Sequence, residues 1–519
     1  MADSGPPSRD SSSAAPPPAT ADVDAAARHF GFHFDTETRS DIQAFARLLL
    51  DSYGRVDALY DRVANRRPPE RTYRFPAAGD NPLGAWYVTT EVCDGADGPL
   101  AGRRVAIKDN IAVAGVPMAS GSPAVEGFIP AADATVVERL LGAGAFIAGK
   151  AVCEDLCLSS SSFTSASGPV RNPWDPDREA GGSSSGCAAL LAAGAVELAV
   201  GADQAGSIRI PAALCGIVGF KPTYGLIPCT GAMPLDRGID HLGPMAHSVA
   251  DAALLLNVLA GADGRDSRQR PGSPGIDYSA ALTGDVAGMR VGILAEGFGH
   301  GGAQSEVDEL IRAAAHRFAE IGCTVRDISV PQHLDAAHLS TVICTDGGIH
   351  QMFDANGCGF GVEDPGDPDL LRHFGTRWRE TTDQLATVVK ATAIAGHYGL
   401  TVLGAATYAK ARALVPYVRA GYDRALAECD VLVMPTTPVT AQPLPEDSRA
   451  LSPAVGKAAN TAPMNVTGHP AISVPAGLIR GLPAGMMIVG KRFDDTTVLK
   501  VADAFESLRG GFAPAPGEC

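Results

Sequence analysis

The sequence predicts a mixed α/β fold, a large mixed twisted β-sheet flanked by helices, with a small helical module on its N-terminal side. Three observations carry this. Short apolar runs alternate with helix-patterned stretches through most of the chain, as strands and their covering helices do. From Asp22 onward, apolar residues instead recur at helical spacing with no strand between them. The 519 residues, 45% hydrophobic and 19% charged, suffice for a large core, and no internal repeat points to a solenoid or propeller.

In chain order, residues 1–21 are mostly Pro, Ser and Ala and read as a disordered tail without the apolar region of a secretory signal. Residues 22–69 form the helical module. Ala26, Phe30, Ile42, Phe45, Leu48, Leu49, Leu59 and Val63 give its stripe, Asp35 or Thr36 caps its longer helix, and Pro68-Pro69 ends it. Residues 70–519 form the main domain, opening with a Gly/Pro/Asp-containing connection over 70–98. RRVAIKDN, VELAVGAD, MRVGILAE and DVLVMPTT read as strands, and TVVERLLGAGAFIAGKA reads as helix, glycine stop, strand. SEVDELIRAAAHRFAEIG is a helix capped by Ser305. Residues 330–420 are a mostly helical insertion. Its Met352, Phe353, Phe360, Phe374 and Trp378 either line an apolar pocket or, for most of them, fill core.

A formal charge of −16 with no Lys/Arg cluster opposes binding to nucleic acid or anionic membranes. CAALLAAGAVELAVGA, broken by Gly194 and Glu197, is shorter than the roughly 20 residues of a membrane span and reads as a buried helix followed by a strand. Eleven scattered cysteines read as reduced cytoplasmic thiols.

Chemistry concentrates in residues 178–228. GGSSSG precedes the apolar helix from Cys187, and DQAGSIRIP precedes a short helix over 208–214. A Gly/Ser turn at a helix start gathers free backbone N–H groups, which suits a developing oxyanion. Ser207 stands in such a turn. A serine hydroxyl needs a base, and this segment has no histidine. Lys108, at the end of the apolar strand VAI, is a candidate if burial keeps it neutral; spacing alone favours a surface lysine paired with Asp109.

The run GGSSSG…GADQAGSIRIPAALCGIVGFKPTYG resembles the amidase signature. AIKDN resembles that family's upstream lysine segment, and NTAPMNVTGHPAISVPAG (460–477) its C-terminal block. The likeness spans about residues 70–505. Within the family, DQAGSIRIPA, IDHLGP (239–244) and the N-terminal helical module are most similar to bacterial amidases of the nitrile-pathway type.

The resemblance implies an amidase-signature sandwich and a Ser-Ser-Lys triad. Lys108 takes a proton from Ser183, which follows a cis peptide bond, and Ser183 takes one from Ser207, the nucleophile. The N–H groups of Gln204, Ala205, Gly206 and Ser207 hold the oxyanion. It implies hydrolysis of a small or medium aliphatic or aryl carboxamide to acid and ammonia or amine, without metal or organic cofactor, by a homodimer for which the apolar stripe of 42–63 is the surface. One departure is Ala205, where the family usually has glycine; alanine there strains the turn if it needs positive φ. Ser185 also stands where glycine is common.

Other readings compete. G-x-S-x-G around Ser184 matches a nucleophile elbow with His241 or His247 as base, but the preceding NPWDPDREAGG reads as loop, His241 as part of a structural turn, and Ser184 as a hydrogen-bonding support. Cys153 and Cys157, spaced as on one helix, are a weak zinc signal and read as core, although the resemblance puts Cys157 near the substrate channel. GILAEGFGHGG lacks a dinucleotide fingerprint. Arg209 and Asp203 read as a bracing charge pair, and Asn465 and Thr467 as pocket-lining or loop-bracing residues. The alternative functions are the glutaminase subunit of a tRNA-dependent amidotransferase, a non-catalytic scaffold, and a biosynthetic acyltransferase.

Overall fold

The computed structural model describes residues 19–64, 66–270, 276–359, 366–447, 449–451, 454–510 and 515. Residues 1–18 of the expected 1–21 tail and Phe360 lie outside them, while Thr20 and Ala21 already belong to a helix instead of the tail. The chain divides into two compact units, Met1–Arg67 and Pro68–Cys519.

The first unit is a pair of helices, α1 (Thr20–Phe30) and α2 (Thr36–Val63). Gly31, at φ 72°, ends α1. Asp35 rather than Thr36 caps α2, accepting the Thr38 N–H at 2.7 Å. The apolar stripe of α2 is not packed away: Phe45, Leu48, Leu49 and Val63 are all more than half exposed.

The second unit carries fourteen strands among the described residues: β1 (Tyr73–Arg74), β2 (Trp86–Val92), β3 (Arg104–Lys108), β4 (Phe146–Ala151), β5 (Arg171–Asn172), β6 (Asp175–Glu179), β7 (Leu198–Asp203), β8 (Val218–Lys221), β9 (His241–Ala246), β10 (Arg290–Leu294), β11 (Thr324–Ile328), β12 (Val431–Pro435), β13 (Ala471–Ile479) and β14 (Leu482–Val489). Twelve form one mixed sheet in the order β1-β2-β4-β3-β7-β9-β8-β13-β14-β12-β10-β11, and β5-β6 make a separate ribbon. β4-β3-β7 and β12-β10-β11 are parallel; the other neighbours are antiparallel.

Helices cover both faces. On β3 the period of two sends Val105 and Ile107 to α3 (Thr135–Gly142) and α6 (Val249–Leu259). Ala106 goes to the opposite face, against α4 (Ser185–Ala192). That second face is lined with small residues, Ala106, Ala148 and Ala199, which lets α4 and α5 (Arg209–Cys215) approach closely. Lys108 is in phase with Ala106 and so leaves the sheet on the α4 side. α7 (Ser305–His316) and α14 (Asp495–Arg509) add to the first face.

Residues 330–420 carry the helices α8 (Gln332–Val342), α9 (Pro368–Glu380), α10 (Thr387–Tyr398) and the first part of α11 (Ala406–Glu428). Three turns widen to π-helix, at Ile343–Gly347, His350–Asp354 and Gly399–Gly404. Met352, Phe353 and Phe374 are buried together with Trp378 against them, so these four are core. Two short helices, α12 (Ala454–Lys457) and α13 (Ala462–Thr467), lie between α11 and β13.

Several expectations need correction. The 70–98 connection contains β2, paired to β4, because its valines and threonines fit a pleated surface. NPWDPDREAGG contains β6, held in the small ribbon and outside the main sheet. His241 starts β9 instead of sitting in a turn. Ser305 is the first helical residue of α7 and Gln304 its N-cap, with no side-chain cap bond; the Gln304 amide oxygen is drawn instead to the N–H of Thr440. Cys153 and Cys157 do not share a helix, since the chain between them is a short 3-10 turn in which Leu156 and Cys157 have positive φ. No helix among the described residues is long and apolar enough to cross a membrane.

Candidate active site

Lys108 is fully buried where β3 ends. Its Nζ lies 2.8 Å from Ser183 Oγ and 3.1 Å from the Ala202 carbonyl oxygen of the neighbouring β7. The surface pairing with Asp109 is not formed. Asp109 turns to Lys150, 2.9 Å from its Nζ, and accepts the Ala119 N–H at 2.9 Å. Burial raises the Asp109 pKa, against the pull of Lys150. Lys150 can do this because it lies in register with Ile107 and so faces away from Lys108.

Ser183 sits in the turn before α4, after a cis Gly182–Ser183 bond. A Cβ on Gly182 would lie 2.0 Å from the Ser161 carbonyl oxygen, so only glycine fits there. Ser184 Oγ lies 3.1 Å from the same Ala202 oxygen that Lys108 contacts. The Ser184 N–H donates to the Ser207 carbonyl at 3.1 Å, which ties the two serine turns together.

Ser207 stands in the turn between β7 and α5. Asp203, at the end of β7, organises that turn. Its Oδ1 accepts the Gly206 N–H at 2.7 Å, and its Oδ2 accepts the Ile208 N–H at 3.1 Å. Arg209 holds both oxygens, with Nε at 3.0 Å and Nη2 at 2.9 Å. Asn465, on α13, donates to Asp203 Oδ1 at 2.9 Å and accepts from Arg209 at 2.7 Å. Burial opposes ionisation of Asp203, but the charge and hydrogen bonds of Arg209 prevail and hold its pKa well below the usual carboxylate range. Arg209 and Asp203 thus brace the turn. Asn465 belongs to the same brace, while Thr467 donates to the Pro463 carbonyl.

Gly206 has φ 133°, and a Cβ there would meet Thr461 Oγ1 at 2.2 Å. Thr461 in turn donates to the Ala205 carbonyl at 2.6 Å. Ala205 is not in the positive-φ region, so alanine causes no backbone strain there. One expected oxyanion donor needs correction: the Gly206 N–H already donates to Asp203. The N–H groups of Gln204, Ala205 and Ser207 meet no acceptor among the described residues.

Two groups beside Lys108 and Ser183 were not singled out from sequence as parts of the site. Glu154 donates its N–H to the Ser183 carbonyl at 3.3 Å. Its buried carboxylate accepts from Ser161 and Thr164 hydroxyls, and burial pushes it up to about 7. Cys157 is buried, and its neighbours Cys153, Lys108 and Ser183 lower the pKa of its thiol against the effect of burial. Thr461 and the Asp109–Lys150 pair were also missed. The one available signal for that pair was that two strands, β3 and β4, each run apolar into a lysine.

The elbow arrangement is not formed. Ser184 is engaged with backbone, and His241 Nδ1 lies 2.7 Å from the Ile239 carbonyl oxygen, with burial lowering its pKa far below the usual value. No group of three metal-ligating side chains occurs among the described residues. The arrangement is suited to moving a proton between Lys108 and Ser183, and to receiving negative charge at the turn of Ser207.

The amidase family model matches residues 85–499. An enantioselective amidase of Rhodococcus rhodochrous is 49% identical over 511 residues, 97% of this chain and 98% of its own. A glutamyl-tRNA(Gln) amidotransferase subunit of Methanosarcina acetivorans is 38% identical over 414 residues, 80% of this chain and 86% of its own. Among solved structures, a peptide amidase in complex with the competitive inhibitor chymostatin superposes with a TM-score of 0.69 at 30% identity, over 81% of this chain and 86% of that one.

Proposed function

This chain belongs to the amidase family and is a hydrolase acting on amides, and we propose that it works through an acyl-enzyme on Ser207. Unprotonated Lys108 takes the proton of Ser183 as Ser183 takes that of Ser207. Ser207 Oγ attacks the amide carbonyl carbon, and the N–H groups of Gln204, Ala205 and Ser207 hold the oxyanion. Collapse breaks the C–N bond while the relay returns a proton to the leaving nitrogen. Water then attacks the ester, and the acid leaves. The observation that carries this reading is the 2.8 Å contact of buried Lys108 with Ser183.

The substrate we propose is a small or medium aliphatic or aryl carboxamide. The likeness to an enantioselective amidase adds that a racemic chiral amide is cleaved unequally. The glutaminase-subunit reading is weaker, because the Rhodococcus amidase is 49% identical over 97% of this chain, while amidotransferase subunits are 38% identical over 80% or 35% identical over 90% of it. Amide hydrolysis without partner chains separates the two. The exposed stripe of α2 supports a homodimer, which light scattering tests.

A fluorophosphonate probe followed by peptide mapping tests the mechanism. A single adduct on Ser207, slowed in Lys108→Ala, is expected. Lys108→Ala and Ser183→Ala should each lower turnover by on the order of a thousandfold or more, and Ser184→Ala by far less. An adduct on Ser184, or none, refutes the assignment.

A further inference from the structure

A small chamber lies beside the turn that carries Ser207. Asn110, Gln204, Asp240 and His241 line it, with Arg237 and Arg268. Its position follows from the chain. Gln204 opens the nucleophile turn, Asn110 stands two residues after Lys108, and His241 pairs across the sheet with Asp203. The chamber has room for about one water-sized molecule.

Three of its walls carry buried acceptor atoms without a partner among the described residues: Asn110 Oδ1, Gln204 Oε1 and His241 Nε2. A neighbour fixes one of these roles. His241 Nδ1 must carry the ring proton to reach the Ile239 carbonyl at 2.7 Å, so Nε2 is a lone pair. Buried acceptors left without donors are destabilising, so a ligand rich in N–H or O–H groups fits.

We infer that this chamber receives the ammonia released from a primary carboxamide. The inference rests on the acyl-enzyme reading above. Ammonia is the size of water but offers three N–H donors to the three acceptors, where water offers two. A seated ammonia is also poised for the reverse step. Its nitrogen attacks the acyl carbon, the C–N bond forms, the C–Oγ bond to Ser207 breaks, and a proton passes from nitrogen to Ser207 Oγ, giving the primary amide.

The test uses the full chain with an unlabelled primary amide and ¹⁵N-ammonium chloride at alkaline pH, ionic strength held constant with sodium chloride. Mass spectrometry reads the ratio of ¹⁵N-amide to acid formed, which does not depend on overall turnover. A bound ammonia makes this ratio saturate with ammonia concentration, and Asn110→Leu lowers its initial slope about tenfold. Ala232→Leu, which fills the chamber wall without touching an acceptor, does the same and serves if Asn110→Leu fails to fold. A ratio that rises linearly in the unaltered enzyme, no ¹⁵N in the amide, or unchanged slopes in the folded variants overturns the inference. Acid release without ammonia but no adduct on Ser207 overturns the acyl-enzyme reading instead.

Discussion

Replacing Arg209 with methionine isolates the brace under the Ser207 turn. Arg209 and Asp203 are both fully buried and joined by two bonds of 3.0 and 2.9 Å. Removing one member of such a pair costs about 3–5 kcal/mol, because the other charge stays buried. Asp203 would keep the Gly206 N–H, the Ile208 N–H and the Asn465 amide, so the lower end, about 3 kcal/mol, is expected. The pH dependence follows in sign. In the unaltered protein the Asp203 pKa is depressed, so its contribution is present above the unfolded value of about 3.9 and is lost as pH falls. In Arg209→Met burial raises that pKa, so stability is instead lost as pH climbs past about 4. The deficit should therefore be smaller near pH 3 than at pH 8, by urea unfolding at the two values. Adding Asp203→Asn should recover about 1–3 kcal/mol at pH 8 by removing the stranded charge. A deficit below about 1 kcal/mol at pH 8, or an equal one at both pH values, refutes the brace.

Gly206→Ala places a Cβ against Thr461 at a φ only glycine takes easily; it should cost about 1–3 kcal/mol in stability and slow turnover. Thr461→Ala on that background should restore only part, because the backbone strain remains, and a fully active Gly206→Ala enzyme counts against the turn geometry. Glu154, raised to about 7 from 4.5, binds its proton more tightly folded than unfolded, so its contribution is full below pH 4.5 and is lost as pH rises to 7. Glu154→Gln should flatten the pH profile by about 3 kcal/mol between pH 4 and 8 relative to the unaltered protein, measured by denaturant melts; parallel profiles discard the assignment.

The parts legible in the sequence were those fixed locally. β3, β4, β7, β10 and β12 are apolar runs that end at glycines or charges, and α4 and α5 announce themselves by the Gly/Ser turns ahead of them. β9 and β13 were harder, because Pro244 and Pro475 sit inside them and proline ordinarily demotes a strand. The β13–β14 hairpin left a fainter mark in Arg480-Gly481, both at positive φ as a tight hairpin turn requires. In the candidate site, Ser207 stood out by its Gly/Ser turn at a helix start, whereas Ser183 and a buried Lys108 came only from the resemblance to a family; spacing alone put Lys108 on the surface. What settled its surroundings was pairing between distant segments: Lys150 with Asp109, Asn465 with Asp203, Thr461 with Ala205. None of these has a signature in one stretch of chain, since each depends on which strand lies beside which.

The three π-helical turns in and beside α8 and α10 have a consequence for how this protein tolerates changes of length. Each spends one residue more per turn than an α-helix does. Deleting one residue within such a turn would tighten it to ordinary α geometry and leave the helix beyond it running in the same direction with its faces in phase. The same deletion inside α4 or α5 would rotate every following side chain by about 100° and turn buried residues of those helices away from the sheet they pack on. The insertion is thus a part of the molecule in which the chain can shorten by single residues while the Ser183 and Ser207 turns stay fixed.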